Sequence, residues 1–285
     1  MSTLLDIENL RVTFPTRQGE FEAVCGISFT LGQERLGIVG ESGSGKSMTG
    51  RAILRLIRPP GKITADRMEL GGRDLLGMSE KQMQGVRGQR ISMVMQDPKF
   101  SLNPVMRIGE QIMEIYRFHT GASKKAAYAK ALEMLDAVAI RDPERVMRAY
   151  PHEMSGGMGQ RIMIAMMLVT EPEILIADEP TSALDVSVQS SVLAIIDRLV
   201  RQRGMGLIFI SHDLNLVASF CDRVLIMYAG RIVEVCAADK LHEASHPYTR
   251  GLLNSLPRLD APQRRLEALN RDPAWAQAPS VSGRI

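Results

Sequence analysis

The sequence predicts an α/β fold built on a parallel sheet, with a β-rich N-terminal subdomain and an inserted helical subdomain. Three observations predict it. Short apolar segments at Leu36–Val39, Ile174–Ala177 and Leu207–Ile210 read as strands, the second as one covered on both faces of a parallel sheet. The first two are followed by helical patterns, the first directly through a glycine-rich loop. From about residue 98 to 165 the strand pattern gives way to helical spacing.

In chain order, residues 1–39 are β-rich. Leu5, Ile7, Leu10, Val12 and Phe14 are interspersed with polar residues, Thr16-Arg17-Gln18-Gly19 is a turn signal, and Phe21–Leu31 is a second extended run. A helix is expected from Lys46 to Ile57, stopped by Pro59-Pro60-Gly61. Ile91–Met95 reads as a strand ending at Gln96-Asp97-Pro98. In the helical insertion, Leu132, Leu135 and Val138 share one face, and Lys124, Lys125 and Lys130 are expected on the exposed side. Helices are expected at Met158–Val169 and Val188–Arg201, and a hairpin at Val224–Val235 around Ala229-Gly230. The main domain covers residues 1–256. From about 257 the chain is Pro-, Ala- and Arg-rich and is expected to be loosely ordered in part.

The bulk properties narrow the function classes. The chain has 285 residues, 45% hydrophobic and 24% charged, with a formal net charge of +3. That balance argues against nucleic acid as a partner, which calls for a concentrated basic face. Cys25, Cys221 and Cys236 form no CxxC pair and read as ordinary thiols. The first ten residues carry Asp6 and Glu8 and do not resemble a signal peptide. The longest purely apolar run, Ile162–Val169, is far short of a membrane span, so membrane association is expected through a partner.

Gly40-Glu41-Ser42-Gly43-Ser44-Gly45-Lys46-Ser47 matches the phosphate-loop pattern between a strand and a helix. Its glycines let backbone N–H groups wrap phosphates, and the helix N-terminus adds a favourable dipole. Lys46 supplies a point charge to the phosphate oxygens, and Ser47 offers a hydroxyl to Mg²⁺. Asp178 and Glu179 follow an apolar strand, at the sheet edge where such folds bind ligands. Asp178 suits Mg²⁺, and Glu179 suits a general base for water. Ser155-Gly156-Gly157 opens a helix. Ser155 reads as its N-cap, or the triplet reads as a second phosphate cradle. One nucleotide does not need two cradles from one chain, whereas two facing chains would each cap the other's nucleotide.

With these motifs in order, the chain resembles ABC-transporter nucleotide-binding subunits from about residue 5 to 256. The resemblance implies a P-loop NTPase (RecA-like) core that binds ATP and Mg²⁺ and hydrolyses ATP. Phe14 matches the aromatic that stacks on adenine, with Phe21 as the lesser candidate. Residues Gly40–Ser47 are the Walker A loop, Gln96 the Q-loop glutamine, and Ser155-Gly156-Gly157 part of the signature. Ile174–Glu179 is Walker B, Ser182-Ala183-Leu184-Asp185 the D-loop, and His212 the switch histidine. By that likeness Gln96 senses Mg²⁺ and the attacking water, and His212 contacts the γ-phosphate.

Ser101-Leu102-Asn103-Pro104, Tyr150-Pro151-His152 and His246-Pro247-Tyr248-Thr249-Arg250 narrow the likeness to the oligopeptide/dipeptide/nickel importer subfamily. This implies a second, homologous ATPase subunit, two integral-membrane permeases and, indirectly, an extracytoplasmic substrate-binding protein, at the cytoplasmic face of the inner membrane. Two departures stand out. Gly159 occupies a signature position where the subfamily usually has Arg, which bears on rate more than on activity. No cysteine follows Cys236, so the iron–sulfur cluster of some members is not expected. A soluble ABC ATPase of DNA repair or translation is the alternative, but paired cassettes, long coiled coils and zinc modules are missing from this sequence. A P-loop kinase would leave Gln96, Ser155-Gly156-Gly157 and His212 together unexplained.

Overall fold

The computed structural model describes residues 3–95, 101–182, 184–255, 269 and 271–284. The strands are β1 (Leu5–Thr16), β2 (Gly19–Leu31), β3 (Arg35–Val39), β4 (Lys62–Thr64), β5 (Arg67–Leu70), β6 (Arg73–Asp74), β7 (Ile91–Val94), β8 (Ile174–Asp178), β9 (Gly206–Ser211), β10 (Arg223–Tyr228) and β11 (Arg231–Ala237). The helices are α1 (Lys46–Ile53), α2 (Glu80–Val86), α3 (Ile108–Thr120), α4 (Lys124–Ala137), α5 (Pro143–Arg148), α6 (Gly156–Leu168), α7 (Val186–Arg203), α8 (Leu214–Phe220) and α9 (Pro247–Asn254). The chain divides into one unit made of Met1–Met78 with Ile208–Ile285, and another made of Ser79–Leu207.

In the first unit, β1 and β2 form the expected antiparallel pair, closed at Thr16↔Gly19 and running to Leu5↔Leu31. Leu5, Ile7, Leu10, Val12, Val24, Ile27, Phe29 and Leu31 are fully buried. Register shifts after Ile7, Leu10 and Val12 mark bulges in this pair. β5 and β4 add to the other edge of β1, and β6 pairs with β5. These three short strands were not read from the sequence because they span only two to four residues each, too few for a period to stand out, although Met68 and Leu70 of β5 do alternate with polar neighbours.

A second sheet in the same unit runs β11-β10-β3-β9. β3 and β10 pair in parallel, and both are almost wholly buried. Ala229 and Gly230 both take positive φ, 45° and 78°, which matches a hairpin turn whose twist suits the flanking strands. The helix after the phosphate loop is shorter than expected, ending at Ile53 rather than Ile57. Arg55 takes a left-handed φ of 52°, and Leu56 N–H reaches back to the Arg51 carbonyl at 2.8 Å. This is a Schellman-type stop in which Arg stands where Gly is usual. Its guanidinium is held by the carbonyls of Leu75 (3.0 Å) and Met78 (2.6 Å), which offsets the cost of that backbone.

In the second unit, β7 and β8 pair in parallel from Ile91↔Ile174 to Val94↔Ala177, and every residue of both strands is buried. The expected helical stretch holds α3, α4 and α5. α4 is capped by Ser123 and buries Ala127, Ala131, Met134 and Leu135, with Val138 at its end; Leu132 is only half-buried. Lys130 corrects the expected exposed lysine face. It is half-buried and hydrogen-bonds Glu133 and Glu171, both at 2.7 Å. α2 starts on a full capping box between Ser79 and Gln82, a signal present in the sequence but not read there.

Residues 271–284, placed by the sequence in the loosely ordered tail, are tied down. Val281 N–H donates to the Ile232 carbonyl and Gly283 N–H to the Ser28 carbonyl, each at 2.7 Å. Arg284 pairs with Asp6 (2.9 Å) and Glu8 (2.8 Å). The backbone bonds are independent of composition, which is why composition did not announce them. Among the described residues, no helix is long and apolar enough to cross a membrane.

Candidate functional site

The phosphate loop follows β3 and enters α1 at Lys46. Gly45, the residue before the helix, has φ 101°, and a Cβ there would lie 2.6 Å from the Ala23 carbonyl oxygen. Only glycine satisfies both constraints. Gly43 has φ 81° with open space where a Cβ would point. Ser42 and Gly43 are exposed, while Ser44 and Lys46 are buried. The loop rests on the β10–β11 turn: Gly230 N–H donates to the Ser44 carbonyl at 3.0 Å, and Cys25 N–H donates to the Gly230 carbonyl at 2.8 Å.

Lys46 is only 5% exposed. Its ammonium donates to the carbonyls of Gly40 (2.7 Å) and Glu41 (2.8 Å). The charge is thus held by the loop's own backbone. Ser47 is the second residue of α1 and half-buried. A helix N-terminus, glycine-rich backbone and one buried cation are together the features that an anion-binding loop calls for.

Phe14 lies on β1 directly opposite Phe21 in the strand register. Phe14 is half-buried, with its ring close to Gly61, whereas Phe21 is 58% exposed. His212 follows β9 immediately and is exposed. The next residue, Asp213, caps α8 through Leu216 N–H at 3.0 Å.

In the other unit, Asp178 ends β8 and is 5% exposed. Glu179, the next residue, has a left-handed φ of 48°. That conformation costs of order 1–3 kcal/mol for a non-glycine residue and concentrates at functional sites. Its carbonyl accepts hydrogen bonds from the N–H and the hydroxyl of Ser182, both at 3.3 Å.

Ser155 is the N-cap of α6, accepting from Met158 N–H at 3.4 Å. Gly156 faces open space. Gly157 does not: a Cβ there would stand 2.6 Å from Cγ1 of Val188 on α7. The glycine pair therefore splits into one open position and one that lets two helices approach. Gly159 is buried in α6. Asp185 is the N-cap of α7, accepting from Val188 N–H (3.0 Å) and the Ser187 hydroxyl (2.7 Å). The Val188 N–H, then the Ser187 hydroxyl, hold its carboxyl below the ordinary aspartate range. Gln96 and Ala183 lie outside the described residues.

The sequence reading missed a set of contacts on the loop itself. Glu41 N–H donates to the hydroxyl of Tyr248 at 3.0 Å, and the Glu41 carboxylate pairs with Arg271 at 2.6 Å. Tyr248 belongs to the His246-Pro247-Tyr248 motif, which the sequence marked without assigning it a contact. Arg271 carried no signal at all.

Known proteins resemble this chain along most of its length. Residues 24–182 match the family model described as ABC transporter. Residues 233–282 match the oligopeptide/dipeptide transporter C-terminal region. The oligopeptide transport ATP-binding protein OppD of Salmonella typhimurium is 48% identical over 262 residues, covering 91% of this chain and 78% of that one. The dipeptide transport ATP-binding protein DppD of Bacillus subtilis is 47% identical over 263 residues, covering 91% and 78%. The solved dimeric bacterial ABC transporter cassette MJ0796 superposes with a TM-score of 0.73 at 25% identity, over 82% of this chain and 98% of that one. Its post-hydrolysis form, bound to ADP and Pi, gives 0.71 at 26% identity, over 82% and 98%. A family match across more than half the chain and near-half identity along nine-tenths of it establish that this chain belongs to the ABC transporter family.

Proposed function

We propose that this chain is the ATP-binding and ATP-hydrolysing subunit of an importer for peptides or related small solutes of the dipeptide, oligopeptide and nickel class. The observation that carries this is the 48% identity with an oligopeptide transport ATP-binding protein along 91% of the chain. The match of residues 233–282 to the oligopeptide/dipeptide C-terminal region supports the same branch.

In this reading ATP is the substrate, and its phosphates lie on Gly40–Ser47. Lys46 turns its ammonium from the Gly40 and Glu41 carbonyls towards the phosphate oxygens. Phe14 offers its ring to adenine. Ser47, Asp178 and Gln96 would hold Mg²⁺; a hydroxyl, a carboxylate and an amide oxygen are the hard donors that this ion takes. When bound, Mg²⁺ neutralises charge developing on the phosphate oxygens. Glu179 orients and deprotonates the attacking water, its backbone already held in the left-handed conformation. His212 contacts the γ-phosphate.

Ser155-Gly156-Gly157 and Asp185 act on the nucleotide of a second, homologous ATPase subunit. The open face of Gly156 and the N-terminus of α6 suit that contact. Contacts across such an interface exist only with ATP present, so ATP biases a two-state assembly towards closure. Two permeases take up the motion, an extracytoplasmic binding protein delivers the cargo, and the subunit sits peripherally on the cytoplasmic face of the inner membrane. Glu179→Gln in the assembled transporter tests the chemistry: phosphate release stops while ATP binding persists. Unchanged turnover overturns the role of Glu179.

A further inference from the structure

Glu41 is bonded through each of its polar groups, and two of the three lead away from the phosphate site. Its carbonyl accepts Lys46 Nζ at 2.8 Å. Its N–H donates to Tyr248 Oη at 3.0 Å. Its carboxylate takes a forked pair from Arg271, Nη2 to Oε1 at 2.6 Å and Nε to Oε2 at 3.3 Å. Such forked pairs fix orientation as well as distance. The side chain that holds the phosphates and two side chains of the C-terminal region therefore meet on one residue of the loop.

The C-terminal side of this junction is built as one packed piece. Tyr248 is fully buried, and its hydroxyl proton is pushed up to a pKa of about 12, chiefly by burial. It stays a neutral hydrogen-bonding group at any physiological pH. Its ring stands 4.6 Å from Tyr228 and 6.1 Å from Trp275, centroid to centroid. Trp275 also meets His246 at 5.7 Å and Tyr228 at 6.0 Å. Arg231 on β11 donates to the Ala276 carbonyl at 2.9 Å, anchoring the tryptophan turn.

We propose that Tyr248 and Arg271 are positioning residues for nucleotide binding, and that loop occupancy is transmitted through Glu41 to Trp275. The inference rests on the ATP-binding reading above. When Lys46 leaves the Glu41 carbonyl for a phosphate oxygen, the Tyr248 and Arg271 bonds keep Glu41 in place. The loop then does not have to be ordered anew at each binding event. Coupling of this kind is reciprocal: if the C-terminal clamp favours the binding-competent loop, bound nucleotide must favour the clamp.

Trp275 is the single tryptophan of the chain, so its emission reports the clamp directly. The experiment uses the full-length chain, with ATP affinity measured by equilibrium dialysis of radiolabelled ATP and emission recorded in parallel. ATP shifts Trp275 emission in the wild type with the midpoint found by dialysis. Tyr248→Phe keeps the ring but loses one hydrogen bond, and weakens ATP binding about two- to tenfold. Arg271→Gln, at an exposed position, weakens it about two- to fivefold. Both variants shrink the emission change at saturating ATP, and Arg271→Lys recovers part of it. Circular dichroism and melting of the Arg271 variants confirm that the fold is retained.

ATP binding by dialysis with unmoved Trp275 emission overturns the coupling while leaving the ATP reading intact. Wild-type affinity in both Tyr248→Phe and Arg271→Gln overturns the positioning role. No ATP binding by the wild type overturns the ATP reading, and this inference with it.

Discussion

Gly157→Ala separates two reasons for a glycine in the second position of the Ser155-Gly156-Gly157 triplet. The added methyl would lie 2.6 Å from Val188 Cγ1, well inside contact distance. Val188 is β-branched and sits in the first turn of α7, where one χ1 rotamer dominates, so it does not swing aside freely. Forcing it off that rotamer, or pushing the helices apart, costs about 1–3 kcal/mol. The gain in helix propensity from Gly to Ala offsets at most about 1 kcal/mol. With the full offset the expected net effect is a destabilisation of up to about 2 kcal/mol. Val188→Ala removes the clashing methyl groups, so the double variant should recover that loss.

The assay is chemical denaturation followed by far-ultraviolet circular dichroism, because Trp275 reports only the other unit. A coupling energy of about 1–2 kcal/mol between the two substitutions is expected, since residues in contact are not additive. Additivity within about 0.5 kcal/mol would refute the packing argument. ATPase activity gives the second answer. If Gly157 also lets backbone approach the partner's nucleotide, the double variant regains stability without regaining full turnover.

Ser155→Arg should leave ATP binding to the chain's own phosphate loop intact but block closure on the partner's nucleotide; undiminished nucleotide occupancy in the partner subunit would contradict the shared-site arrangement. Lys130→Met should cost about 1 kcal/mol, less at high salt, by removing the pairs with Glu133 and Glu171. Its hydrogen bond from Lys130 lowers the Glu171 pKa; for Lys130 burial pulls down, but the two carboxylates raise it on balance. A carboxyl with a lowered pKa stabilises above its unfolded value, and an amine with a raised pKa stabilises below its own. The difference between wild type and Lys130→Met should therefore be largest between about pH 4.5 and pH 10, and denaturation midpoints should converge on either side. Burial pushes Cys221 up to a pKa of about 12, and mainly burial raises Cys236 to about 11. Both should react slowly with thiol reagents at pH 8 in the native protein and rapidly once denatured.

Much of the α/β framework was legible because it is written in local, short-range physics. Ile174–Ala177 and Leu207–Ile210 are short continuous apolar runs of strand length, consistent with doubly covered strands, and they appear as β8 and β9. The phosphate loop was legible because its glycines, Lys46 and Ser47 recur at a fixed spacing between strand and helix, although the close approach that demands Gly45 comes from Ala23, distant in sequence. The end of α1 was not, because it depends on Arg55 finding the carbonyls of Leu75 and Met78 some twenty residues on.

By itself, then, the sequence determined the principal strands and helices, the phosphate loop and the family, all of which follow from patterns of neighbouring residues. Tertiary structure decided what those residues touch. It joined Glu41 to Tyr248 and Arg271 across more than two hundred positions, put Lys130 between two carboxylates, and set Gly157 against Val188. Contacts at such separation leave no periodicity or motif in a single chain, because each requires only that one suitable side chain arrive at one place once the sheets have formed.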